Sequence, residues 1–152
     1  MSSQIYFDDL VLGQTERFGR YEVDRAEVIA FASKYDPQSF HLSDEGAAGT
    51  VFGRMSASAL HTLAMTSRMM ADQAKETGFW PAAGLGLERM RLPRPVFPGD
   101  VLSVRTEIID LRPSASRPDC GIVSVQIDAL NQDEERVLQY VGVMMFKKRA
   151  AA

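Results

Sequence analysis

The chain has 152 residues, the length of one domain able to bury a full core. Its 45% apolar and 24% charged content is ordinary for a globular protein, and a net charge of −3 argues against a general nucleic-acid binder. The single cysteine, Cys120, excludes a disulfide framework and a cysteine-based metal site. In chain order, residues 13–23 interleave polar and apolar side chains as a strand does. Asp24 and Glu27 have capping-box spacing, with Asp in place of Ser or Thr, and open a short helix that turns Val28, Ile29, Phe31 and Ala32 inward. That helix ends at Tyr35-Asp36-Pro37, because a residue before proline is steered out of the helical region. Ser43, Asp44 and Glu45 start a further helical turn.

The longest helix is expected from Ser56 to about Thr77, a stretch without Pro or Gly. Gly78 stands where a left-handed closing residue belongs. The first half of this helix is apolar on nearly every side, the mark of a helix buried over most of its surface. Residues 83–92, 101–111, 120–131 and 136–148 read as strands, divided by turn signals at Pro98-Gly99-Asp100 and at residues 131–134. Pro93, Pro95 and Pro98 mark an irregular entry that lies outside any central strand. Helices followed by hairpin-linked strands predict an α+β fold with an antiparallel sheet packed on one long helix. No repeat or low-complexity linker divides the chain, so residues 1–152 read as one domain.

Asp36 and His41 stand five positions apart in a loop, and the chain has only two histidines. His41 is therefore one of few groups suited to proton work near neutral pH. The long helix that follows offers free N–H groups at its start, where negative charge can develop. An acid/base pair beside such a helix end is equipment for moving protons next to a carbonyl. His61, inside the apolar helix, reads as a core histidine with one hydrogen-bond partner. Ser58 reads equally as a hydroxyl ligand to substrate or as a small residue that permits close packing. Gly84-Leu85-Gly86 lacks a third glycine and enters a strand, so it is not a dinucleotide loop. Arg89, Arg91 and Arg94 form a basic cluster, and alternation puts Arg89 and Arg91 on one strand face, either solvated or serving phosphates. No metal and no cofactor are implied. The N-terminus lacks the basic and apolar regions of a signal peptide and no run spans a membrane, so a reducing cytoplasm is the expected location.

An opening such as Tyr6 to Gln14, then Phe31 to Asp36, His41, Phe52-Gly53-Arg54 and Pro93 to Asp100, in this order, resembles the MaoC-like dehydratases, which include R-specific enoyl-CoA hydratases. The resemblance runs from about Tyr6 to Lys148. It implies a hot-dog fold, an antiparallel sheet wrapped around a central helix, assembled as a homodimer or higher oligomer. It also implies an acyl-CoA thioester substrate, hydrated or dehydrated across the 2,3 bond. Carried over, Asp36 and His41 hold the water, and the Ala59 amide polarises the thioester carbonyl. Ser58, Ala59, Arg89, Arg91 and Arg94 are the expected substrate-binding residues. Two departures stand out: the common loop has Asn where Gln38 stands, and the common helix start has Gly where Ala59 stands. A hot-dog thioesterase and a non-catalytic acyl-CoA-binding hot dog are the alternatives. The absence of Asp or Glu between Ser56 and Ala71 counts against the thioesterase.

Overall fold

The structure is a computed structural model that describes residues 3–151. Strand β1 (Thr15–Glu22) leads into helix α1 (Arg25–Tyr35), a short helix α2 (Asp44–Ala47) and the long helix α3 (Ala59–Thr77). Four strands follow: β2 (Ala83–Arg91), β3 (Val101–Pro113), β4 (Cys120–Leu130) and β5 (Arg136–Lys147). They join β1 in one antiparallel sheet of order β1-β3-β4-β5-β2. This is the predicted α+β architecture.

Strand alternation builds the core. Val123, Val125, Ile127 and Ala129 of β4 pair with Met144, Gly142, Tyr140 and Leu138 of β5, and all eight are buried. Helix α3 lays Met65 and Met69 on this layer, in one cluster with Val104, Ile127 and Phe146. Its Thr62 and Thr66 hydroxyls are buried but donate back to the carbonyls of Ser58 and Thr62, so they carry no unmet polar cost. Gly78 closes α3 at φ +82°, and a Cβ there would stand 2.0 Å from the Ser3 carbonyl oxygen. The position requires glycine on both counts.

Three sequence expectations are corrected. The long helix begins at Ala59, not Ser56. The amides of Ser56 and Ala57 instead donate to the Phe40 and Val96 carbonyls, partners far away in the chain. The helix is also buried along one face only, and Leu60 is 51% exposed. On β2, a bulge between Glu88 and Arg91, with Arg89 at φ +53°, breaks the alternation. Arg91 therefore shares the face of Glu88 and not that of Arg89. All nine residues of β2 are exposed. Among the described residues, no helix is long and apolar enough to cross a membrane.

Candidate active site

Asp36 is the closing residue of α1, its amide bonded to the Ala32 carbonyl at 2.8 Å. Pro37 follows and turns the chain out of the helix. The backbone amide of Gln38 folds back on the Asp36 carbonyl, and a single 3₁₀ turn, Ser39–His41, returns His41 toward the helix end. As a result His41 Nε2 lies 3.5 Å from Asp36 Oδ2, with the His41 side chain 8% and the Asp36 side chain 22% exposed. Phe40 packs against the imidazole in an edge contact.

The two partners differ in how they are held. His41 Nδ1 is 2.6 Å from the Ser56 carbonyl oxygen. A carbonyl only accepts, so Nδ1 carries a proton and Nε2 is the ring atom turned to Asp36. Asp36 Oδ2 accepts the Ser58 hydroxyl at 2.7 Å, and Oδ1 accepts the Gln38 side-chain amide, also at 2.7 Å. The Ser58 hydrogen bond, then that of Gln38, then nearby His41, hold the Asp36 carboxyl below the usual carboxylate range against the opposing effect of burial. A depressed folded-state value means the stabilisation is present at neutral pH and is lost as pH falls through that value. A carboxylate oxygen and the imidazole Nε2 therefore face each other at 3.5 Å. Two polar atoms at this spacing can be bridged by one water.

Both side chains line a cleft of about 380 Å³ that opens to solvent, shared by Gln38, Thr50, Phe52, Ala59 and Arg94. Ala59 is the first residue of α3, and its N–H has no hydrogen-bond partner among the described residues. It lies where the helix dipole is positive. The opposite wall is set by the Pro-rich turn. Gly99, at φ +94°, and the Asp100 carboxylate, which accepts the Phe97 amide at 2.9 Å, hold Val96 beside Ala57. Arg54 stacks on Phe97, its guanidinium carbon 3.6 Å from the ring centre, and Phe52 meets the same ring edge-on.

Of the residues expected at the site, Asp36, His41, Ala59 and Arg94 meet at this cleft. Ser58 does not line it. That side chain is fully buried, donating to Asp36 and accepting the Leu60 amide as the helix cap. Arg89 and Arg91 lie on β2 and do not line the cleft, whereas Arg94 does and pairs with Glu135 at 2.9 Å. His61 lies apart from the dyad with one hydrogen-bond partner, Glu27. Sequence reasoning missed Gln38 as a ligand of Asp36, although its place in the loop, where Asn is common, was the available signal.

The chain matches the MaoC like domain over residues 10–129. The chain belongs to the MaoC-like family. A MaoC-like dehydratase of Rhodospirillum rubrum, known from a crystal structure, shares 37% identity over 97% of this chain and 99% of its own, with a TM-score of 0.86. A 3-hydroxybutyryl-CoA dehydratase of Methylorubrum extorquens is 31% identical over 74% of this chain and 69% of its own length. The same MaoC-like architecture superposes on a Mycobacterium tuberculosis protein with a double hot-dog fold, at 23% identity and a TM-score of 0.77, covering 98% of this chain and 46% of that one. The sheet around α3 is the hot-dog fold that the sequence resemblance implies.

Proposed function

We propose that this MaoC-like protein hydrates the double bond of a 2-enoyl-CoA thioester, or dehydrates the 3-hydroxyacyl-CoA in reverse. The observation that carries the reading is the Asp36 carboxylate facing His41 Nε2 in one cleft with the Ala59 N–H, which has no partner among the described residues. A thioester carbonyl seated on the Ala59 amide is polarised, so the enolate-like oxygen that forms during addition is stabilised. The water held between Asp36 and His41 gives its oxygen to the β-carbon. One of the pair accepts the water's proton, and a proton is delivered to the α-carbon, so the elements of water add across the bond. Arg94, at the cleft, serves the phosphate end of the coenzyme. The name of the 3-hydroxybutyryl-CoA dehydratase relative supports this substrate class.

Crotonyl-CoA is the direct test. Loss of enoyl absorbance without release of free thiol is the expected result. Thiol release would instead make the protein a thioesterase, and neither change would make it a binding protein.

The working form is proposed to be a homodimer in the cytoplasm. Strand β2 leaves one edge unpaired at the end of the sheet, and Leu85 and Leu87 on it are 48% and 55% exposed. A long apolar edge invites pairing with another strand. Light scattering at micromolar concentration is expected to give twice the chain mass, and the Leu85→Lys, Leu87→Lys variant the mass of one chain. A monomeric parent protein would refute the assembly.

A further inference from the structure

His61 lies three residues past Ser58 on α3, is 3% exposed and does not line the cleft. Its ring stacks flat on Phe31, with centroids 4.6 Å and planes 9° apart. Its Nε2 stands 3.0 Å from Glu27 Oε1. A carboxylate accepts, so Nε2 carries a proton, and Nδ1 is left as a buried nitrogen with no partner among the described residues. The same Glu27 oxygen accepts the hydroxyl of Tyr21 on β1. Glu27 is thus not the closing member of a capping box. Its amide donates to the Asp24 carboxylate at 3.0 Å, while its own carboxylate turns to Tyr21 and His61.

Glu27 and Phe31 are one turn apart on α1 and share a face. His61 therefore grips α1 along two successive turns. The grip matters because α1 buries only Val28 and Ala32 and ends in Asp36. The other tie between the two helices is the Ser58 hydroxyl on Asp36 itself. Both ties come from the first turn of α3.

We infer that His61, through Glu27, Phe31 and Tyr21, is a positioning residue that fixes α1 against α3 and thereby sets where the Asp36 carboxylate meets His41. The inference rests on the hydratase reading above. His61→Phe keeps the stack on Phe31, deletes the Glu27 hydrogen bond and removes the unpartnered nitrogen. Glu27, 44% exposed at its side chain, keeps Tyr21 and solvent, so no charge is stranded.

The experiment compares His61→Phe, Glu27→Ala and Glu27→Gln with the parent, using crotonyl-CoA kinetics, thermal melts and imidazole ¹⁵N NMR. Misplaced reacting groups lower kcat more than binding, so His61→Phe and Glu27→Ala are expected to lose about tenfold in kcat with KM within about threefold. The melting temperature of His61→Phe should stay near the parent's, while Glu27→Ala, which leaves the buried His61 Nε2 proton without an acceptor, should melt somewhat lower. Glu27→Gln retains an oxygen acceptor for both partners and should be close to the parent in kcat. With two histidines in the chain, His61→Phe leaves His41 as the only imidazole, and its signals should differ from those of His41 in the parent. Parent kcat in folded His61→Phe with unchanged His41 signals would overturn the inference. A kcat loss that Glu27→Gln does not rescue, tracking a fall in melting temperature, would overturn it too. A parent protein that leaves crotonyl-CoA untouched would sink the hydratase reading alone, because the NMR comparison still decides whether His61 governs His41's surroundings.

Discussion

Asp36→Asn and His41→Ala are each expected to remove about 10³-fold of the hydration rate, the usual scale for a positioned acid/base group. The first substitution keeps a side-chain oxygen for the Ser58 hydroxyl, but the amide that replaces the Asp36 carboxylate can no longer take a proton. The second leaves the Ser56 carbonyl without its imidazole donor and the cleft without the ring nitrogen that faces Asp36. Because both side chains act on one water, losing either removes the function of the other. The double variant should therefore be little slower than the single ones. The assay is loss of enoyl-CoA absorbance, with melts run in parallel. The melting temperature of Asp36→Asn should move little, while His41→Ala should melt lower, because the buried imidazole and its bond to the Ser56 carbonyl are lost. Full activity in Asp36→Asn refutes the dyad. Rate losses that multiply in the double variant show two independent groups.

Ala59→Pro is expected to cost about 10²–10³ in kcat, the loss typical of deleting one donor to an oxyanion. Proline suits this position on other grounds. The first residue of a helix is where proline is best tolerated, because its N–H bonds to nothing within the helix. Here Ala59 has no partner to lose, and Ser58, at φ −57° and ψ 144°, already has the extended backbone that a residue before proline adopts. The substitution puts a ring methylene in place of the N–H at the cleft wall, while the helix, its Ser58 cap and the Asp36–His41 pair stay. KM should change far less than kcat, and the melting temperature should hold or rise. Ala59→Gly, which keeps the N–H and trims a methyl, should retain activity. Parent-level kcat in folded Ala59→Pro would show that the carbonyl is held elsewhere.

The sequence by itself determined the elements and the meeting of Asp36 with His41. Alternation in β4 and β5, the Asp24 cap, the break at Asp36-Pro37 and the left-handed Gly78 are written within a few residues of where they act. The pairing of Asp36 with His41 was legible for the same reason, since five positions of loop suffice to fold one onto the other. What failed to show depends on partners distant in the chain. Ser56 and Ala57 leave the helix because Phe40 and Val96 carbonyls claim their amides. Glu27 turns from its local cap because His61, 34 residues on, offers a donor. Arg91 departs from the face of Arg89 because a bulge adds a residue against β5. Ser58 becomes a ligand of Asp36 only once α1 and α3 lie side by side. Local periodicity and turn chemistry act over one or two turns, so they fix which segments are helix or strand. The partner of a buried donor or acceptor is set by packing, and packing is decided only when distant segments meet.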